Sequence, residues 1–139
     1  MSTSNPCIVG TRTTLDANVK DFISKNPDLH LGGSGDFYDE RARHAKVFGF
    51  HSLSTSKQAP IHSVRFTAIR GPHGTIPIRV FSPNFREEKR KAGDARALVC
   101  FHGGGYTVGS VDEFENGLCI VVEESRVQVY GVEYRLAPE

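Results

Sequence analysis

The stretch Ala97-Leu98-Val99-Cys100-Phe101-His102-Gly103-Gly104-Gly105-Tyr106 decides the fold. Its five leading apolar residues are too few for a helix and suit a strand buried on both faces, as in a parallel sheet. Three successive glycines then remove every Cβ where the strand gives way to a loop. Such a run is costly in chain entropy, and it lets backbone amides approach a ligand closely. Free N–H groups in that position can hold the negative oxygen that develops when an ester carbonyl becomes tetrahedral. The plain alternative is a tight turn and nothing more. Phosphate-binding spacings fail: no Gly-Lys-Ser/Thr follows, and Val108 stands where a G-x-G-x-x-G pattern begun at Gly103 needs glycine.

On the C-terminal side, residues 113–124 fit a helix with Phe114, Leu118, Val121 and Val122 inward, and residues 127–134 return as a strand. On the N-terminal side, Val64, Phe66 and Ala68 alternate with polar residues. After Gly71-Pro72-His73-Gly74, the run from Ile76 to Phe81 alternates again, which predicts a β-hairpin. Residues 82–94 are polar and expected to form a loop. Two helices are expected earlier. One has Leu15, Val19, Phe22 and Ile23 on one face and ends near Asn26-Pro27. The other, capped by Ser34 or Asp36 after the joint at 32–35, runs to about Phe50 with Phe37, Tyr38, Ala42, Ala45 and Phe48 on its apolar side. The organisation expected is therefore a disordered N-terminus over 1–13, N-terminal helices over 14–50, and the start of an α/β sheet over 61–139.

The chain of 139 residues has room for one domain. Its net charge of +1, from 17 basic and 16 acidic residues, gives no reason to expect nucleic acid or an anionic membrane as partner. The run Arg86-Glu87-Glu88-Lys89-Arg90-Lys91 is interrupted by acids and reads as a solvated loop. No apolar run could span a bilayer, and the first residues lack a secretory signal, so a cytoplasmic location is expected. Cys7, Cys100 and Cys119 form no CxxC pair and read as reduced thiols. No metal-ligand spacing is present, and neither metal nor cofactor is expected.

Two segments in register carry a resemblance: Val99-Cys100-Phe101-His102-Gly103-Gly104-Gly105-Tyr106-Thr107-Val108-Gly109-Ser110 with Asp112, and Glu133-Tyr134-Arg135-Leu136-Ala137-Pro138-Glu139. Together they resemble the hormone-sensitive-lipase family of α/β-hydrolases, in which an HGGG loop is the oxyanion element of esterases and lipases. The hairpin resembles the family's opening strands, and the two N-terminal helices sit where its cap segment begins. The resemblance implies an incomplete α/β-hydrolase fold with the fourth strand between the second and third. It implies that the amides of Gly104 and Gly105 face the substrate oxyanion and that Gly103 permits the approach. It further implies that His102 braces the loop, and that Tyr134, Arg135 and Glu139 support it. For Arg135 and Glu139, ordinary surface charges remain an equal reading of the sequence.

The family's activity needs a serine on a G-x-S-x-G elbow, then an acid, then a histidine. The chain has no G-x-S-x-G. Its nearest string, Gly32-Gly33-Ser34-Gly35-Asp36, ends in Asp and follows no strand, and all six histidines precede the place where the nucleophile would stand. A Cys100-His102 nucleophile pair has no acid to orient His102. The expectation is the N-terminal part of a carboxylic ester hydrolase acting on a small-molecule ester, inactive alone, and shortened by truncation, by natural processing or by splitting. With the fourth strand between the second and third, Leu98, Val99, Cys100 and Phe101 are then expected on an open edge, and the chain alone is expected to be marginally stable and to aggregate, to self-associate through the third strand, or to need a complementing C-terminal segment. The rival is a non-enzymatic, receptor-like binding protein of the same fold.

Overall fold

The computed structural model describes residues 15–29, 36–85 and 87–139. The expected disorder over 1–13, Cys7, the joint at 32–35 with Ser34, and Arg86 lie outside the described residues. Residues 1–31 and 32–139 form two units. The first contains α1, Ala17–Lys25, with Val19, Phe22 and Ile23 at helical spacing. The Asp16 carboxylate accepts the Asn18 amide at the start of α1, and the chain leaves it at Asn26, next to Pro27 as expected.

The second unit opens with α2, Phe37–Phe48, whose first turn is capped by Asp36 accepting the Tyr38 amide. Two single turns of 3₁₀ helix follow, Phe50–Ser52 and Thr55–Lys57. The hairpin is β1, Ser63–Gly71, and β2, Gly74–Ser82, joined by the two-residue turn Pro72-His73. The segment expected to be a loop contains a short helix, α3, Glu87–Lys91, in which Glu87 pairs with Lys91 one turn later. Then come β3, Ala97–Phe101, α4, Val111–Ser125, and β4, Gln128–Val132.

The sheet order is β1-β2-β4-β3. Strand β4 runs antiparallel to β2 and parallel to β3, so β3-α4-β4 is a crossover unit and the fourth strand lies between the second and third as expected. The core sits between α4 and one face of the sheet, where Phe81, Val111, Leu118, Cys119, Val122 and Val129 bury their side chains, each worth about 1.5–3 kcal/mol for a large aliphatic or aromatic group. On the opposite face Ile78, Val80 and Val132 form a second cluster with Ile76, Tyr130 and Tyr134 beside it.

Three expectations about burial are corrected. Against what its apolar run suggests, strand β3 is not buried on both faces: Leu98, Val99 and Phe101 are exposed, because among the described residues β3 pairs only with β4 and stands at the sheet edge, the open edge expected for these residues in the 139-residue chain. Helix α4 begins at Val111, two residues early, since Ser110 caps it. Its core stripe is Val111, Leu118, Cys119 and Val122, while Phe114 and Val121 are exposed. The expected apolar side of α2 is exposed as well, and its one buried residue is His44, with Glu40 and Arg41 partly buried beside it. The inward side carries polar contacts: Arg41 donates hydrogen bonds to Thr107, Ala137 and Glu139, and His44 Nε2 and Nδ1 each lie 3.9 Å from a carboxylate oxygen, of Glu40 and of Glu113 on α4.

Candidate functional site

Parallel pairing builds the site. Phe101 at the end of β3 is in register with Val132 at the end of β4, so the glycine loop and the segment 133–139 emerge side by side at one end of the sheet. Phe101, His102, Gly103, Gly104, Gly105, Tyr106 and Tyr134 line an open depression there.

The loop conformation is one that side chains resist. Gly104 has φ +126°, Gly105 +60° and Tyr106 +63°. The turn closes with the amides of Thr107 and Val108 both donating to the Gly104 carbonyl at 3.1 Å. A Cβ on Gly104 would lie 1.9 Å from the Val108 carbonyl oxygen, whereas one on Gly105 would meet open space. Among the described residues, the amides of Gly104 and Gly105 donate to no backbone acceptor.

Beneath the loop, the His102 ring is buried. It stacks on Tyr134 with centroids 4.2 Å apart and planes 15° apart, and Phe114 lies 6.2 Å away. The Tyr134 hydroxyl donates to the His102 carbonyl at 2.6 Å, and His102 Nδ1 sits 2.9 Å from the Gly103 carbonyl. Nε2 lies 3.5 Å from one carboxylate oxygen of Glu133, whose other oxygen accepts the Val111 amide at the start of α4 at 3.1 Å. Glu133 therefore joins the end of β4, the loop histidine and the first turn of α4, and the expectation that no acid stands beside His102 is corrected.

The remaining residues expected at the site divide. Arg135 donates to the His73 carbonyl in the hairpin turn at 2.6 Å and does not touch the glycine loop. Glu139 accepts from Arg41 at 2.7 Å. Arg41 also donates to the carbonyls of Thr107 and Ala137, at 2.8 and 2.7 Å. Local sequence pattern carries no signal for Arg41, since 66 residues separate it from Thr107. Phe114, expected in the core, instead lies beside Gly103, whose Cβ would stand 3.6 Å from its ring. Burial pushes the Cys100 thiol up, away from the thiolate that a nucleophile needs.

The profile of the alpha/beta hydrolase fold matches residues 98–139, the span from β3 through the last residue. A hairpin, a parallel crossover and a glycine loop at the strand end place the chain in that fold class. The carboxylic ester hydrolase LipN of Mycobacterium tuberculosis is 36% identical over 72 residues, 52% of this chain and 18% of that protein. The ethyl acetate hydrolase of Pseudomonas putida is 38% identical over 65 residues, 47% of this chain and 20% of that protein. The hyperthermophilic esterase of Pyrobaculum calidifontis superposes with a TM-score of 0.74 at 28% identity, over 89% of this chain and 37% of that one. The thermostable carboxylesterase EstE1 from a metagenomic library gives 0.65 at 26% identity, over 78% and 34%. The chain thus spans about a third of these solved structures and about a fifth of these curated relatives. It has the N-terminal part of an α/β-hydrolase fold and, over part of its length, is similar to carboxylic ester hydrolases. Among the described residues no helix is long and apolar enough to cross a membrane.

Two outcomes follow from the geometry. Gly104→Ala must displace the Val108 carbonyl, whereas Gly105→Ala meets only the left-handed backbone penalty of about 1–2 kcal/mol. Denaturant melts should therefore rank Gly104→Ala as the more destabilising. The reverse order would contradict the described loop.

The second outcome concerns Glu139. Its hydrogen bond from Arg41, with Tyr38 adding to it, holds the carboxyl below the usual glutamate range. A carboxylate depressed on folding stabilises the fold above its ordinary titration range, and that contribution is lost as pH falls through the folded pKa. An NMR titration should place the Glu139 midpoint below that of glutamate in an unstructured peptide, and Arg41→Gln should move it back. A midpoint at the peptide value would exclude the pair.

Proposed function

We propose that this chain supplies the oxyanion-hole loop of a serine carboxylic ester hydrolase, with the amides of Gly104 and Gly105 as donors to the tetrahedral oxyanion and Gly103 permitting the close approach. The observation that carries the reading is the pair of amides without a backbone acceptor, in a loop lining an open depression. Glycine is required there because donors must come within hydrogen-bond reach of the developing charge. His102, Tyr134 and Glu139 act as supports: ring stacking, the hydroxyl on the His102 carbonyl and the Arg41 pair hold the loop from below and from the side. Arg135 supports the hairpin turn in place of the loop. We take residues 14–50 as the start of a cap segment and 61–139 as the start of the catalytic domain. The substrate class is a small-molecule carboxylic ester, in keeping with the names of the ester hydrolases that the chain matches. The described thiols, Cys100 and Cys119, are free and suit the reducing cytoplasm.

Hydrolysis through an acyl-enzyme needs a nucleophile and a base, and no G-x-S-x-G stands in the sequence. The 139-residue chain should show no saturable hydrolysis of p-nitrophenyl esters above an inert-protein control. Saturable turnover with covalent labelling of a serine by a fluorophosphonate would falsify this. In a longer protein carrying the nucleophile, Gly104→Val should lower kcat on the order of 10²-fold, and unchanged turnover would remove the oxyanion assignment.

The exposed apolar edge of β3, with Leu98, Val99 and Phe101 uncovered, is a template for intermolecular strand pairing. Light scattering on the chain should show its mass rising with concentration, and Val99→Lys should suppress the rise. A monomer of constant mass at every concentration would argue that the unit is self-sufficient.

A further inference from the structure

We infer that Arg41 is a positioning residue for the oxyanion donors, so that helix α2 sets the geometry of a site that it does not line. The inference rests on the oxyanion reading above and deepens it.

The guanidinium is a planar fork, and here it serves three acceptors on two different segments. Nε donates to the Thr107 carbonyl at 2.8 Å, one terminal nitrogen to Glu139 at 2.7 Å, and the other to the Ala137 carbonyl at 2.7 Å. Its side chain is only 19% exposed. An ammonium on a flexible stem cannot reproduce three fixed directions at once.

The bonds form a chain that ends at a donor. Thr107 and Val108 amides hold the Gly104 carbonyl. Because a trans peptide is planar, the N–H of Gly105 points opposite to the C=O of Gly104. Whatever aims the Gly104 carbonyl therefore aims the Gly105 amide. Arg41 grips the far side of the same turn through the Thr107 carbonyl. It also grips the segment that holds the turn from outside, since the Ala137 amide donates to the Tyr106 carbonyl at 2.8 Å. Tyr106 sits at φ +63°, a left-handed conformation that a residue with a side chain resists and that persists only where its surroundings impose it. Arg41 ties together both of the elements that impose it.

The test is amide hydrogen exchange by NMR on the 139-residue chain, with Arg41→Gln, Arg41→Lys and Glu139→Gln. In Arg41→Gln the Thr107 and Val108 amides should exchange at least about tenfold faster while the β4 amides keep their protection. A merely structural residue would instead loosen loop and β4 together. Arg41→Lys should fail to restore the loop, and Glu139→Gln, which keeps the fork and weakens one of its three bonds, should give an intermediate increase. If Arg41→Gln does not fold, Glu139→Gln decides: faster loop exchange over an intact β4 supports the inference. Loop exchange that tracks β4 in every folded variant, or full rescue by Lys, overturns it. The readout needs no hydrolysis. In a longer protein carrying the nucleophile, Arg41→Gln should lower kcat with little change in KM. A loosened loop with unchanged kcat would overturn the oxyanion reading, whereas a loop that stays firm overturns the role of Arg41 alone.

Discussion

The wedge of α4 against β4 is the contact on which the rest depends. Val129 is fully buried under Phe81, Val111, Cys119 and Val122. Two positions along the strand, Gly131 offers no Cβ; one there would stand 2.8 Å from a Val111 methyl. The first turn of α4 can therefore lie directly on the strand end. Glu133 then reaches the Val111 amide with one oxygen and the His102 ring with the other. Without this close approach, the loop after β3 would have no floor, and the segment after β4 would not run beside it.

Much of this was legible in the sequence. The hairpin is announced by two alternating runs around Gly71-Pro72-His73-Gly74. The glycine loop is legible because three glycines after an apolar run have few other uses. Burial was less legible. An apolar pentapeptide such as Ala97 to Phe101 has the same composition at a sheet centre or at a sheet edge, and only the strand order distinguishes them. The start of α4 is hidden in the sequence because Ser110 caps it from an extended conformation, and a serine beside Gly109 reads equally well as loop.

The facing of helix α2 is hidden for a different reason. Amphipathicity assumes that the apolar side faces the protein, but here the inward side carries Glu40, Arg41 and His44. Ion pairs and hydrogen bonds are directional, and their worth is in fixing orientation more than in net stability. Burial raises the Glu113 carboxyl, and His44 opposes that shift. Asp112, also on α4, accepts the Phe50 amide and pairs with Arg79 on β2. These contacts join residues far apart in the chain, and no periodicity within one segment records them.

The strand order also dictates a sequence of events during synthesis. Strand β3 leaves the ribosome before β4 but, among the described residues, has no strand partner until β4 arrives, because β2 and β3 are neighbours only through it. The hairpin can close on local contacts alone. The third strand must wait through the whole of α4 with its backbone groups unpaired. The glycine turn waits longer still, since its outer supports, Ala137 and Glu139, are made after β4. The glycine turn thus takes shape after the hairpin and after β4, and a nascent chain holds an apolar strand open to its surroundings until then.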